Sequence, residues 1–187
     1  MYRIVRLKFD PIFTDLFDLW RMGWKGTGSD MELDEKDALF MEAALEEARA
    51  AAAEGEVPVG AVVVRDGVII GRGRNRRELG KNALAHAEII AIDEACRNLG
   101  GWRLPGCTLY VTLEPCPMCA GAIISARIPR VVSAVRDAKA GAFGSVLNMN
   151  SYPLNHKTQI EFGVLAQPCG ELLSDFFAEL RKKLRNR

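Results

Sequence analysis

The spacing of apolar and polar positions changes several times along the chain, and each change marks an element. From Met31 onward the pattern is regular. Asp34 is placed to cap a helix running from about Glu35 to Ala53, a stretch rich in the strong helix formers Ala, Leu and Glu. Val59–Arg65 and Val68–Arg72 are β-rich runs parted by Asp66-Gly67, a dipeptide that favours a two-residue hairpin. After a loop reaching Asn82, a helical pattern resumes over about Ala85–Asn98 and stops at Gly100-Gly101. Thr108–Leu113 predicts a strand, and Pro117 suits the first position of a helix reaching about Ser125. Arg130–Val135 and Ile160–Leu165 predict two further strands, and Glu171–Leu184 a closing helix. The order α-β-β-α-β-α-β-β-α predicts an α/β fold with helices on both faces of a mostly parallel sheet, to which the first hairpin adds an antiparallel edge.

The first 30 residues follow a different pattern. Phe9, Phe13, Phe17, Trp20 and Trp24 lie at spacings of 4, 4, 3 and 4, one helical stripe, and Gly26-Thr27-Gly28-Ser29 then breaks it. Six of the 14 aromatic residues fall here. Two readings stand: a start-site artefact, with Met31 as the true first residue, or an amphipathic helix that docks on the body or on a partner. The expected organisation is therefore an extension at residues 1–30 and one domain at residues 31–187.

Composition narrows the function classes. A chain of 187 residues can bury a sizeable single core, and 49% hydrophobic with 26% charged residues is ordinary for a globular protein. No apolar run approaches the roughly 18 residues of a membrane span. Asp10, Asp15 and Asp18 interrupt what would be the apolar stretch of a signal peptide, so the expected location is cytoplasmic, with no membrane association. Five cysteines without an export signal argue against a disulfide framework and for metal binding, catalysis or burial. The net charge of +1 gives no support for a nucleic-acid partner. Local basic clusters do exist at Arg72, Arg74, Arg76, Arg77 and Lys81, at Arg127, Arg130, Arg136 and Lys139, and in the tail from Arg181. Each has a solvated face as its plainer explanation.

Candidate chemistry centres on Pro115-Cys116-Pro117-Met118-Cys119. Two cysteines three apart in a first helical turn share a face, and the positive end of the helix dipole favours the thiolate. Alone, such a pair fits half a zinc ribbon, a redox dithiol or two buried thiols. A ribbon needs a second Cys-x-x-Cys, which Cys96, Cys107 and Cys169 cannot supply. His86-Ala87-Glu88, 30 positions before Cys116, adds one nitrogen ligand and one carboxylate. His86, Cys116 and Cys119 make three ligands, which leaves a tetrahedral Zn²⁺ room for a water and marks a catalytic rather than a closed structural site. The ion lowers the pKa of that water towards about 7, and Glu88 is free to carry protons. On a regular helix positions i and i+2 diverge, so His86 must sit at the cap. A structural histidine and a helix-favoured acid remain the separate alternatives for His86 and Glu88.

Taken together the two segments resemble the zinc-dependent cytidine and deoxycytidylate deaminase superfamily, with its H-x-E…P-C-x-x-C signature. The resemblance is closest to the bacterial deaminases that act on tRNA adenosine. It is carried by Val57-Pro58-Val59-Gly60-Ala61-Val62, Leu109–Cys116, Arg136-Asp137-Ala138-Lys139-Ala140-Gly141-Ala142 and Leu154-Asn155-His156, and it runs from about Met31 to the C-terminus. It implies a three-layer α/β/α cytidine deaminase-like fold with a mixed five-stranded sheet, and one Zn²⁺ per subunit on His86, Cys116 and Cys119 with Glu88 as proton shuttle. It further implies substrate contacts at Asn75, Ala87, Asp137 and Lys139, each with a plainer reading as turn or surface, and a loop-organising role for Asn155 and His156. The implied reaction is hydrolysis of adenosine to inosine at the wobble position of a tRNA anticodon stem-loop, an arginine tRNA, by a homodimer. Arg74, Arg76, Arg77, Arg136 and Lys139 are the candidate phosphate contacts. The competing readings are a deaminase of a free base such as guanine or cytosine, a catalytically dead zinc-stabilised RNA-binding subunit, and a thiol redox protein.

Overall fold

In the computed structural model, which describes residues 30–186 with side chains from Glu35 to Asn186, strands form where a β-rich run can bury side chains on both faces. Gly60–Arg65 (β1) is the clearest case: Ala61 and Val63 enter one buried cluster, Val62 and Val64 the other. Asp66 and Gly67, both at positive φ, turn the chain into Val68–Arg74 (β2). Cys107–Leu113 (β3), Arg130–Val135 (β4) and Gln159–Phe162 (β5) complete a five-stranded sheet of order β2-β1-β3-β4-β5. Helices Ala87–Leu99 (α3) and Pro117–Ser125 (α4) cover one face through Ala91, Ala95, Ala120 and Ile123. Asp30–Ala53 (α1) and Ala166–Arg185 (α5) cover the other through Met41, Ala44, Leu45 and Cys169. A one-turn helix, Arg77–Gly80 (α2), and a 3-10 turn at Met149–Ser151 lie in the loops.

This is the α/β/α sandwich with a mixed sheet, but the sheet is less parallel than the element order alone suggests. β1 is antiparallel to β3 as well as to β2, while β3/β4 and β4/β5 are parallel. The physical reason is that α3 carries the chain from β2 across β1 to reach β3, so β1 lies between two strands that run opposite to it. The carboxyl ends of β2, β3 and β4 consequently share one edge. Several boundaries also differ from those expected. The last strand stops at Phe162 because Gly163 and Leu165 both adopt positive φ. The closing helix starts at Ala166 rather than Glu171, since Pro168 falls in its first turn, where the missing N–H costs nothing. At the other end α1 begins at Asp30, so Asp34 lies within the helix instead of capping it. The aromatic stripe of Phe9–Trp24 and the expected division at residue 30 concern positions outside the described residues. Residues 34–187 cluster as a unit of their own. No helix among the described residues is long and apolar enough to cross a membrane.

β2 would be an open edge, yet α3 closes it. Glu94 Oε2 accepts the outward N–H of Arg72 at 2.7 Å, and Asn98 Nδ2 donates to the carbonyl of Ile70 at 2.9 Å. At the amino ends of the strands, one ionic network ties α1 to the sheet. Arg130 donates to both oxygens of Asp37, at 2.9 and 2.5 Å, and to Glu161 at 3.0 and 2.6 Å, while the Tyr110 hydroxyl donates to Asp37 at 2.6 Å. Burial alone would raise the Asp37 pKa, but the bonds from Arg130 and Tyr110 outweigh it and hold the carboxyl below its ordinary value.

Arg130→Met, which keeps the stem and removes the charge, is expected to lower stability at pH 7 by about 3 kcal/mol, because it strands a buried carboxylate. A carboxyl with a depressed folded-state pKa contributes stability above its unfolded value, 3.8, and loses it as pH falls through the folded value. The gap between wild type and variant should therefore narrow as pH drops below that point, as measured by denaturant unfolding at several pH values.

Candidate active site

Two helix N-termini meet at the carboxyl edge of the sheet. His86 is the N-cap of α3, in extended conformation (φ −80°, ψ 151°), and Cys116 is the N-cap of α4 (φ −71°, ψ 171°), followed by Pro117 at its first position. The cap conformation is what lets His86 and Glu88 serve one place despite their i, i+2 spacing. Close docking holds α3 there: a Cβ at Gly73 of β2 would lie 2.1 Å from the carbonyl oxygen of Ala87, so only glycine lets the first turn of α3 rest on the strand.

Nδ1 of His86 lies 3.5 Å from Cys119 Sγ and 3.7 Å from Cys116 Sγ, and the three donor atoms all lie within 4.8 Å of one another. A tetrahedral zinc with bonds of about 2.0 Å to nitrogen and about 2.3 Å to sulfur sets those atoms about 3.5 Å apart. The residues therefore fit the ion in donor type and in spacing. One sulfur is already prepared: the Cys119 thiol donates to Cys116, and this bond, helped by the His86 ring, holds the Cys116 thiol at about 4 against the effect of burial. The same bond, together with burial and the neighbouring Glu88, pushes the Cys119 thiol upward. The hydrogen bond to Cys116 raises His86, and burial raises Glu88 above the usual carboxylate range. Glu88, at the second position of α3, is only 4% exposed.

A cleft of about 510 Å³ opens over these groups. His86, Ala87, Glu88 and Cys116 line it, and so do Asn75, Asp137 and Lys139; Cys119 is buried behind it. The expected zinc ligands, proton carrier and base contacts thus come to one place, whereas of the expected phosphate contacts only Arg77 and Lys139 line the cleft. Val57, Val59, Leu173 and Phe177 add apolar walls. Val57 and Val59 fall in a motif to which sequence reasoning gave no site role, and Leu173 and Phe177 were missed, since α5 approaches the site only through the fold.

Two buried glutamates were also missed as site residues. Glu56, 1% exposed, accepts from the Asn75 side-chain amide at 3.3 Å and from the N–H of Leu79 at 2.8 Å. Glu114, 2% exposed, accepts N–H groups from the loop after β4. A lone carboxylate inside an otherwise apolar run, as in Leu113-Glu114-Pro115-Cys116, is the signal that could have found Glu114; Glu56, two positions after Glu54, carried no such signal.

The basic residues divide into committed and available ones. Arg74 donates to Glu54 at 2.8 Å and to Glu47 at 3.1 Å, and its neighbour Arg76 lies 3.7 Å from Glu54, so much of the first basic cluster is neutralised by the end of α1 and the turn after it. Arg77 and Lys139 line the cleft. Arg136 stacks its guanidinium 3.9 Å over the Phe162 ring. Asn155 accepts from Arg127, and His156 Nε2 bonds the carbonyl of Ile128 at 2.9 Å, so both hold the turn between α4 and β4, away from the cleft.

The sequence profile described as the cytidine and deoxycytidylate deaminase zinc-binding region matches residues 34–135. The chain is 51% identical over 149 residues to the tRNA-specific adenosine deaminase of Bacillus subtilis (strain 168), covering 79% of this chain and 92% of that protein. It is 44% identical over 153 residues to the tRNA-specific adenosine deaminase of Streptococcus pyogenes serotype M18 (strain MGAS8232), covering 81% and 96%. A solved structure from a study of A-to-I editing by tRNA:A34 deaminases at the wobble position of transfer RNA superposes with a TM-score of 0.70 at 47% identity, covering 72% of this chain and 98% of the other.

Elemental analysis of the purified protein is expected to find about one zinc per chain, and Cys119→Ser or His86→Ala to abolish tight retention, since two protein donors do not hold the ion.

Proposed function

Since this chain belongs to the cytidine and deoxycytidylate deaminase zinc-binding family, we propose that it hydrolyses adenosine to inosine at the wobble position of a tRNA anticodon, releasing ammonia. The observation that carries the reading is a buried carboxylate, Glu88, beside a His-Cys-Cys donor set at the floor of a cleft walled by both apolar and cationic side chains.

His86, Cys116 and Cys119 would hold the zinc, which would supply the Lewis acidity that makes a water nucleophilic near neutral pH. Glu88 takes a proton from that water and delivers it to ring N1. Once the C6–O bond has formed, Glu88 takes the remaining proton from the added hydroxyl and passes it to N6, and the C6–N6 bond breaks to release ammonia. Its burial suits this work, because a carboxyl with a raised pKa both accepts and returns protons without a large penalty. Ala87, at the first position of α3, offers one of the backbone N–H groups that a helix start leaves without an intrahelical partner. Asn75, held by Glu56, contributes a fixed amide, and the apolar walls receive an unstacked base. An anticodon loop presents that base single-stranded, which lowers the cost of extraction.

Asp137 and Lys139 face the flanking nucleotides in this reading, with Lys139, Arg77 and Arg136 as the phosphate contacts. Asp137 also shapes its own loop, since its carboxylate accepts the N–H of Lys139 at 2.8 Å. An arginine tRNA as substrate, a homodimer and a cytoplasmic location belong to the same proposal and are supported by the resemblance in the motifs. Residues 31–187 carry this chemistry, with residues 1–30 as an extension.

Incubation with an anticodon stem-loop should yield inosine at the wobble position, while free guanine and cytosine release no ammonia; the reverse pattern would overturn the assignment. Glu88→Ala should keep its zinc and lose about 10²- to 10⁴-fold in turnover, read by single-turnover kinetics beside metal analysis. Stem-loop affinity should fall steeply with salt, and Lys139→Ala should reduce the slope of log affinity against log salt by roughly one contact's worth, about 0.7.

A further inference from the structure

Glu114 joins the last residue of β3 to the Pro115-Cys116 start of α4, and a single loop closes around its carboxylate. Oε1 accepts the N–H of Phe143 at 3.0 Å and of Ser145 at 3.2 Å. Oε2 accepts the N–H of Asp137 at 3.1 Å and the hydroxyl of Ser145. The loop is tied a further time where Ala142 N–H donates to the carbonyl of Pro115 at 2.9 Å. Its path leaves no room for a side chain at Gly141, where a Cβ would lie 2.4 Å from Cδ of Glu114 and 2.6 Å from the carbonyl oxygen of Asp137. Between the tied points, residues 137–140 form one wall of the cleft.

We propose that Glu114 is a positioning residue for the substrate: it sets the loop bearing Asp137 and Lys139 at a fixed distance from the helix that begins with Cys116, so that RNA and reacting base are held in one register. This rests on the RNA-substrate reading above. An acceptor-only group with four lone-pair sites is what the arrangement demands, because four donors converge on it. A glutamine of the same shape must turn its NH₂ towards one pair of donors. At the Oε1 position it would meet two backbone N–H groups that cannot turn away. At the Oε2 position the Ser145 hydroxyl can rotate to accept, and only the N–H of Asp137 loses its partner. Glu114→Gln therefore releases the Asp137 end of the loop in particular, and that end faces the cleft.

The test compares wild type, Glu114→Gln and the milder Ser145→Ala on an anticodon stem-loop, each alone and combined with Lys139→Ala. Zinc content and thermal unfolding are recorded for each. KM is expected to rise about tenfold in Glu114→Gln, the scale of one lost charge-assisted hydrogen bond, and about twofold in Ser145→Ala, with kcat changing less than KM and zinc retained. The penalties of Glu114→Gln and Lys139→Ala should be less than additive, since each disables the same contact. If the variants lose only thermal stability while KM is unchanged, or if their penalties with Lys139→Ala simply add, the positioning role is wrong. Should Glu114→Gln fail to fold, the Ser145→Ala comparison decides by the same criteria. A wild-type protein inactive on the stem-loop would instead refute the RNA substrate.

Discussion

A tetrahedral ion accepts three protein donors only if they stand about 3.5 Å apart, and here those donors come from two helices 30 residues apart in sequence. This requirement governs the fold around the site. It needs the starts of α3 and α4 at one edge of the sheet, and it needs His86 and Cys116 in extended cap conformation rather than in helix. It also needs α3 pressed onto β2 closely enough that Gly73 can carry no side chain. The crossover of α3 over β1 meets the first demand, by bringing the ends of β2 and β3 to the same side although β1 lies between them.

Two helix N-termini aimed at one cleft create a positive field, and the site answers it with negative charge that is buried and individually bonded. Glu88 lies within the reacting centre. Glu114 at the cleft wall and Glu56 behind it each accept hydrogen bonds from a segment that walls the cleft. In the function proposed above, this division leaves one carboxylate to move protons while two others hold shape. A buried carboxylate bonded by several N–H groups is costly to reorganise, and that rigidity is what a site must have to hold a base in a productive pose.

Charge on the rest of the surface is arranged with similar economy. A net charge of +1 conceals a separation between arginines paired internally and cations left at the cleft. Glu47 of α1 and Glu54 in the turn after it neutralise Arg74, whereas Arg77 and Lys139 line the cleft. Local placement, rather than overall basicity, thus gives the cleft its cationic side chains.

Much of this was legible in the residues themselves. The continuous apolar run of β1, the Asp66-Gly67 turn, Pro117 at a helix start and the His86-Ala87-Glu88 and Cys116-Pro117-Met118-Cys119 motifs all act over a few residues, so local chemistry determines them. Local patterns also set helices on both faces. They did not determine that β1 pairs antiparallel with β3, because strand neighbours depend on which crossover buries the most surface. They did not reveal that Arg74 is committed to α1, that Phe177 reaches the cleft from the last helix, or that Glu114 anchors residues 137–145. Each of these joins segments tens of residues apart. Such contacts exist only once the chain has folded, and no short-range periodicity encodes them.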